Sequence, residues 1–200
     1  LSDYQQLWNA LVNMPLKFDF PASLTTERFI EKLGSMMLTE LSSRQYSLKT
    51  YYDSFDWRLY TNGVICEFNR SKAASNLVLR NLENDLIIAS TEIKEVPAFS
   101  YQFQSQEIRS TLAPLLEMRA LLPVCTLDYE LYYLNIVNND EKTVLRLVLE
   151  EHDLFPNHVT LQPIKGYDKA TEHIIEIFTT KLGLTPSIKP LLLTALILQG

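Results

Sequence analysis

Alternating apolar and polar positions predict that most of this chain forms short strands. Near the N-terminus, Leu16, Phe18 and Phe20 alternate with Lys17 and Asp19, the period of two that is typical of a half-buried strand. Similar runs predict further strands near residues 46–52, 62–69, 76–81, 86–95, 98–104, 124–137, 142–151 and 159–165. Many short strands separated by turn residues favour an antiparallel sheet, most naturally a barrel or a strongly curved sheet.

Three segments have helical spacing instead. They cover residues 23–37, with Ser23 as the expected N-cap, residues 105–122, interrupted near Pro114, and residues 166–183, ended by Gly183. We therefore predict an α+β fold, an antiparallel closed β-barrel with flanking helices.

Length and composition fit one globular domain. The chain has 200 residues, 46% of them hydrophobic and 21% charged, which is enough to bury one sizeable core. We place this domain at residues 1–187. Residues 188–200 form a separate apolar segment, predicted to open a helix near Pro190 and to pack Leu192, Leu193, Leu196 and Ile197.

The net charge and the length of the apolar runs argue against two classes of partner, nucleic acids and membranes. The formal charge of −6 argues against general nucleic-acid binding, which usually needs a basic surface. The longest apolar stretch, residues 191–198, is far shorter than the roughly 20 residues of a membrane-spanning helix. With no secretory leader visible, we expect a cytoplasmic protein whose Cys66 and Cys125 are buried free thiols.

One segment carries a more specific signal. Tyr51-Tyr52-Asp53-Ser54-Phe55-Asp56-Trp57-Arg58-Leu59, followed by Gly63-Val64-Ile65, resembles the signature of the CYTH family, the triphosphate tunnel metalloenzymes. The resemblance implies a barrel whose bore holds polyphosphate with basic side chains and a divalent metal with acidic ones. From the residues alone, we expect Tyr51-Tyr52-Asp53 to end a strand and Trp57 to pack on the barrel wall.

A second stretch resembles a subset of that family. Leu161-Gln162-Pro163-Ile164-Lys165-Gly166-Tyr167-Asp168-Lys169-Ala170, with Lys181-Leu182-Gly183-Leu184 after it, is similar to the run that precedes a helical CHAD domain in fused members. The resemblance thus covers about residues 13 to 185 and implies a downstream CHAD domain as a partner.

The chain departs from the family at its catalytic positions. In the frame of the first-strand E-x-E-x-K motif, this chain has Asn13-Met14-Pro15-Leu16-Lys17, so the lysine remains and both metal-binding glutamates are replaced. Cys66, Glu67, Phe68 and Asn69 stand where the family has basic residues, and the strand at 130–135 has no cation.

The remaining candidates follow from the resemblance and from strand alternation. The phosphate-binding candidates are Lys17, Arg80, Lys94, Arg119 and Arg146, and Glu150 is the metal-binding candidate, with Mg²⁺ or Mn²⁺ as the implied ion. Each charge is also compatible with the solvated face of a half-exposed sheet. His152, His158 and His173 show no metal-ligand spacing and are expected at the surface.

Three hypotheses follow. In the first, the domain binds inorganic polyphosphate, triphosphate or a similar polyanion with weak or no metal-dependent hydrolysis. In the second, it is a non-catalytic structural or interaction module that supports a CHAD domain. In the third, it is an active triphosphatase that uses Glu67, Glu92 or Glu150 as substitute metal ligands.

Overall fold

The computed structural model describes residues 16–72, 74–153 and 155–187, together with Leu192, Ala195 and Leu196. The first-strand frame therefore lies outside the described residues except for Leu16 and Lys17. The same holds for Leu193 and Ile197 of the C-terminal segment.

Nine strands and four helices make up the described part of the chain. The strands are β1 (Lys17–Asp19), β2 (Thr39–Asp53), β3 (Val64–Ser71), β4 (Ser75–Asn81), β5 (Ile87–Glu92), β6 (Leu122–Val137), β7 (Thr143–Glu151), β8 (His158–Pro163) and β9 (Thr185–Pro186). The helices are α1 (Thr26–Met36), α2 (Arg58–Thr61), α3 (Gln106–Leu116) and α4 (Asp168–Thr180).

The strands form one antiparallel sheet in the order β5-β4-β3-β2-β6-β7-β8-β1-β9. The predicted α+β class with an antiparallel sheet is confirmed. The described residues show no pairing between β5 and β9, so closure of the sheet into a barrel stays a prediction.

The chain divides into two compact units. Unit 1 comprises the described residues up to Gln45 and Tyr129–Ser187, and unit 2 comprises Tyr46–Asp128 with the described residues of the C-terminal segment. The proposed boundary between residues 187 and 188 coincides with one limit of unit 1, and its meaning as a domain boundary stays a prediction.

Unit 1 buries one face of its sheet under α1 and α4. Phe18, Leu147 and Val159 on the strands pack in one apolar cluster with Phe29 of α1 and Phe178 of α4. The apolar residues of both helices recur at helical spacing, and the apolar residues of the strands alternate with polar ones. The other face of these strands is therefore left for polar side chains.

Unit 2 is built in the same way around α3. Cys66 and Phe68 of β3 and Leu79 of β4 share a core cluster with Ile108 and Leu112 of α3. Cys66 and Cys125 are buried free thiols, as predicted. The predicted strand at 98–104 is wrong, because Ser100–Gln102 form a 3₁₀ turn.

Two predicted helix limits are wrong and one is confirmed. The helix predicted over residues 105–122 ends at Leu116, and Leu122 begins β6. Thr25, and not Ser23, is the N-cap of α1, since its hydroxyl accepts a hydrogen bond from the Arg28 amide. Gly183 follows α4 with a φ of 69°, the left-handed conformation that glycine adopts at helix ends. Leu192 and Ala195 are helical and buried, which agrees with the prediction of a packed helix in the C-terminal segment.

None of the helices among the described residues is long and apolar enough to cross a membrane.

Candidate functional site

The segment that carries the family signature forms a hydrogen-bonded corner after β2. Asp53 ends the strand, as predicted, and its carboxylate accepts hydrogen bonds from the amides of Ser54, Leu59 and Tyr60 at 2.7–2.9 Å. The bonds from Leu59 and Tyr60 satisfy two free amides at the start of α2. The carboxylate of Asp53 is thus occupied by the backbone of the corner.

A second carboxylate of the corner binds two arginines. Asp56 accepts a hydrogen bond from Arg119 Nε at 2.7 Å and from Arg58 Nε at 3.1 Å, and the Ser54 hydroxyl donates to it at 2.8 Å. Desolvation raises the pKa of Asp56, but these hydrogen bonds outweigh it and lower the pKa to about 2. Arg119, a phosphate-binding candidate, also donates to Glu117 at 2.9 Å.

Trp57 of the same corner does not pack on a wall as predicted. It has left-handed backbone angles (φ 56°, ψ 41°) and is 38% exposed. Its ring meets that of Tyr60 edge-on, with the ring centroids 6.3 Å apart.

Unit 2 has an ion cluster on the sheet face opposite its core. Glu67 of β3 is 5% exposed and Lys49 of β2 is 7% exposed, and Arg80 of β4 donates to Glu67 Oε1 at 2.8 Å. Burial raises the pKa of Glu67, but the charges of Lys49 and Arg80 outweigh this effect and keep its pKa below the ordinary value. We call Lys49, Glu67 and Arg80 the unit 2 ion cluster.

Unit 1 has a polar face opposite its core. Cross-strand pairing aligns three rows of residues on it. Because Phe18, Leu147, Val159 and Leu161 point to the core, their neighbours along each strand lie on the opposite face. The rows are Leu131-Glu150-His158-Asp19, Tyr133-Val148-Thr160-Lys17 and Asn135-Arg146-Gln162.

An open cleft of about 390 Å³ lies at one end of this face. Its lining includes the polar residues Ser42, Gln45, Tyr133, Asn135, Arg146 and Gln162. Among the described residues that line it there is no carboxylate. The cleft therefore offers one cation and several neutral hydrogen-bonding groups.

Glu150, His152 and His158 form a compact cluster at the other end of this face. Glu150 Oε2 lies 3.1 Å from His158 Nε2 and 3.6 Å from His152 Nε2, and one potential ligand atom from each residue lies within 4.8 Å of the others. The His152 ring stacks on Tyr129 and His158 and meets Phe155 edge-on. We call these three residues the histidine cluster.

The expectation of surface histidines is wrong for two of the three. His152 and His158 are 6% and 2% exposed, whereas His173 is exposed, as expected, with 65% of its side chain accessible beside Glu176. The missed signal is the spacing. Glu150 lies near the end of β7 and His152 follows the strand two residues later. A short connection then returns the chain to His158, opposite Glu150.

The histidine cluster does not fit the implied Mg²⁺ or Mn²⁺. Both are hard cations that are usually bound by carboxylate, carbonyl and water oxygens. Two of the three donors around Glu150 are imidazole nitrogens, so this donor set lacks the oxygen-rich shell that either ion prefers.

Comparison with solved structures identifies the fold. A candidate adenylate cyclase of Bacillus halodurans superimposes with a TM-score of 0.56 at 14% identity, over 87% of this chain and 93% of that one. HpAC1 of Hippeastrum, a candidate adenylyl cyclase with a dominant triphosphatase activity, gives 0.60 at 11% identity, over 86% and 89%. A candidate adenylate cyclase of Vibrio parahaemolyticus gives 0.53 at 12% identity, over 88% and 91%.

The chain has the CYTH fold. At these identities the comparison establishes the fold alone. Neither a family model nor a curated protein matches the chain.

Within this CYTH fold, the five predicted cations lie in different environments. Lys17 and Arg146 lie on the polar face of unit 1. Arg80 belongs to the unit 2 ion cluster and Arg119 is paired with Asp56. Lys94 is exposed in the segment after β5, so its predicted place on the strand near residues 86–95 is wrong. Phosphate binding by these residues stays a prediction.

Proposed function

We propose that this domain binds inorganic triphosphate, longer polyphosphate or a similar polyanion on the polar face of unit 1, with weak or no metal-dependent hydrolysis. The observation that carries the proposal is the environment of Lys17 and Arg146. Within the described residues, neither of them has a carboxylate at ion-pair distance, whereas Arg80 and Arg119 do.

The neighbours of these two cations suit phosphate oxygens. Arg146 is flanked across the sheet by the amides of Asn135 and Gln162, and Lys17 is paired with Thr160. An arginine can bind a phosphate through two parallel hydrogen bonds, and neutral amides and hydroxyls add donors without repulsion. The cleft of about 390 Å³ beside Arg146 has a volume typical of small-molecule sites.

The fold supports a phosphoanhydride ligand by analogy. HpAC1, which shares this fold, has a dominant triphosphatase activity. Such analogy raises the expectation of a ligand class but assigns no chemistry to a residue.

We expect weak hydrolysis because the carboxylates considered as substitute metal ligands are either bound by other side chains or exposed. Glu67, considered above as a substitute metal ligand, is bound by Arg80 at 2.8 Å, and Glu150 lies between two imidazoles. Glu92, at the end of β5, is exposed. Mg²⁺-dependent phosphoryl transfer relies on carboxylates that share the ion with the phosphate, so we expect little phosphate release with Mg²⁺ or Mn²⁺.

Titration calorimetry with tripolyphosphate tests the binding. At low ionic strength we expect a dissociation constant on the order of 0.1–1 mM, because two cations, the half-buried Lys17 and the exposed Arg146, offset only part of the ligand's desolvation. Arg146→Gln and Lys17→Gln should each weaken binding by about tenfold, whereas Lys94→Gln, which removes an exposed cation elsewhere, should change it less than twofold. No binding heat from the folded wild type would contradict the proposal.

The unit 2 ion cluster favours the second hypothesis, a non-catalytic module that supports a downstream CHAD domain. Lys49 and Glu67 are buried, and Glu67 is paired with the half-buried Arg80 within the chain, as expected of groups kept for structure. This alternative predicts that the wild type binds no tripolyphosphate at low salt while its stability matches that of Arg146→Gln.

A further inference from the structure

We propose that Glu150, His152 and His158 bind a late first-row divalent cation of the Zn²⁺ class. The inference is independent of the proposed phosphate site, because it rests on the three side chains of the histidine cluster.

The first argument is the distance between donor atoms. Tetrahedral Zn²⁺ binds histidine nitrogen and carboxylate oxygen at about 2.0–2.2 Å, which places two ligand atoms about 3.4 Å apart. The separations from Glu150 Oε2 to His158 Nε2 and His152 Nε2 are 3.1 and 3.6 Å. They bracket the tetrahedral value, so small side-chain adjustments would complete a three-ligand site.

The second argument is the unsatisfied state of His152. Its side chain is 1% exposed, and within the described residues neither of its ring nitrogens has a hydrogen-bond partner. A buried polar group without a partner is costly. A cation bound by Nε2 would satisfy one of the two nitrogens of His152.

The third argument is the support around the rings. Tyr129 and Phe155 hold the plane of His152, and His152 stacks on His158 with ring centroids 5.3 Å apart. Glu150 and His158 are cross-strand partners on β7 and β8. Ligands fixed by strands and packed rings lose little freedom on binding, which favours affinity.

The donor types select the class of cation. One carboxylate and two imidazoles suit Zn²⁺, Co²⁺ or Ni²⁺, while Mg²⁺ prefers an all-oxygen shell. Three protein ligands also leave one position open, the arrangement of zinc sites that accept water or a ligand oxygen.

The test uses the full chain after treatment with a chelator and its removal. We expect calorimetry with Zn²⁺ alone to give one ion per chain, and Zn²⁺ at about 100 times its dissociation constant to raise the melting temperature by about 5–10 °C. Mg²⁺ at 1 mM should shift it by less than about 1 °C. Cobalt(II) should give the intense visible absorption of a four- or five-coordinate ion, distinct from the weak spectrum of the aqueous ion.

The variants assign the ligands. His152→Ala and Glu150→Gln should each lower zinc affinity at least tenfold, and His173→Ala, which removes an exposed histidine beside a glutamate, should leave it unchanged. The wild-type cobalt spectrum keeps the test decisive if a variant fails to fold. The proposal is overturned if wild type shows only the aqueous cobalt spectrum, or if His173→Ala weakens zinc binding as much as His152→Ala does.

Discussion

Arg80 and Arg146 stand in similar positions of the two units but in different surroundings. Each lies on a strand beside buried leucines that face the core of its unit. Arg80 binds Glu67 and lies beside Asp85, whereas the cross-strand partners of Arg146 are the neutral residues Asn135 and Gln162. The availability of a strand arginine for a ligand is therefore decided by the residues across the sheet.

The same contrast holds for the carboxylates. In unit 2, Asp53, Asp56 and Glu67 are bound by backbone amides or by cations of the chain. In unit 1, Glu150 lies between two buried imidazoles whose common ligand would be a cation. We therefore propose structural roles for the charges of unit 2 and binding roles for those on the polar face of unit 1.

The largest effect is expected from Glu67→Gln in unit 2. This change removes the buried carboxylate whose charge interacts favourably with Arg80 and with Lys49, which is 7% exposed. Breaking a buried pair by removing one partner costs about 3–5 kcal/mol of unfolding free energy. Urea denaturation measures the loss, with Glu92→Gln, an exposed strand glutamate, as the control within about 0.5 kcal/mol of wild type.

A loss below about 1 kcal/mol for Glu67→Gln would break the contrast between the units. It would mean that the charges of Lys49 and Arg80 do not stabilise the fold through Glu67, and the structural role assigned to this cluster would be wrong.

A smaller loss is expected from Asp53→Ala at the corner. Three backbone amides, those of Ser54, Leu59 and Tyr60, would lose a charged acceptor that is 4% exposed. We expect about 2–4 kcal/mol by urea denaturation, and no change for Asp140→Ala in an exposed turn. An equally small loss for both variants would show that Asp53 is not the acceptor that stabilises the corner.

The sequence predicts the strands better than it predicts the site. Alternation locates β1, β4, β7 and β8 closely, because their apolar residues face one core. The first half of β2, residues 39–45, escapes prediction because its residues are mostly exposed and give no apolar period. The residues at 98–104 alternate equally well but form a 3₁₀ turn, because local pattern does not include tertiary packing.

The site was less predictable because it depends on cross-strand neighbours. The resemblance correctly implies the fold but cannot show that Arg119 is paired with Asp56 across 63 positions of sequence. The burial of Lys49 and His158 could not be predicted from the sequence, because the burial of a charged or titratable residue depends on how the sheet packs. Glu150 is a candidate from sequence, and its two imidazole neighbours become apparent only from pairing of β7 and β8.

The smallest effect is expected at Trp57, where two substitutions distinguish the contribution of the side chain to stability from that of the backbone conformation. Trp57 is 38% exposed and has a φ of 56°, so Trp57→Ala should cost about 1–2 kcal/mol, less than the 3–5 kcal/mol of a fully buried tryptophan. Trp57→Gly should be more stable than Trp57→Ala by about 0.5–1 kcal/mol, because only glycine adopts this conformation without strain. If urea denaturation shows alanine to be the more stable replacement, residue 57 does not keep its left-handed conformation. The hydrogen bonds of Asp53 and Asp56, on which the structural role of unit 2 rests, would then have to form in another backbone conformation.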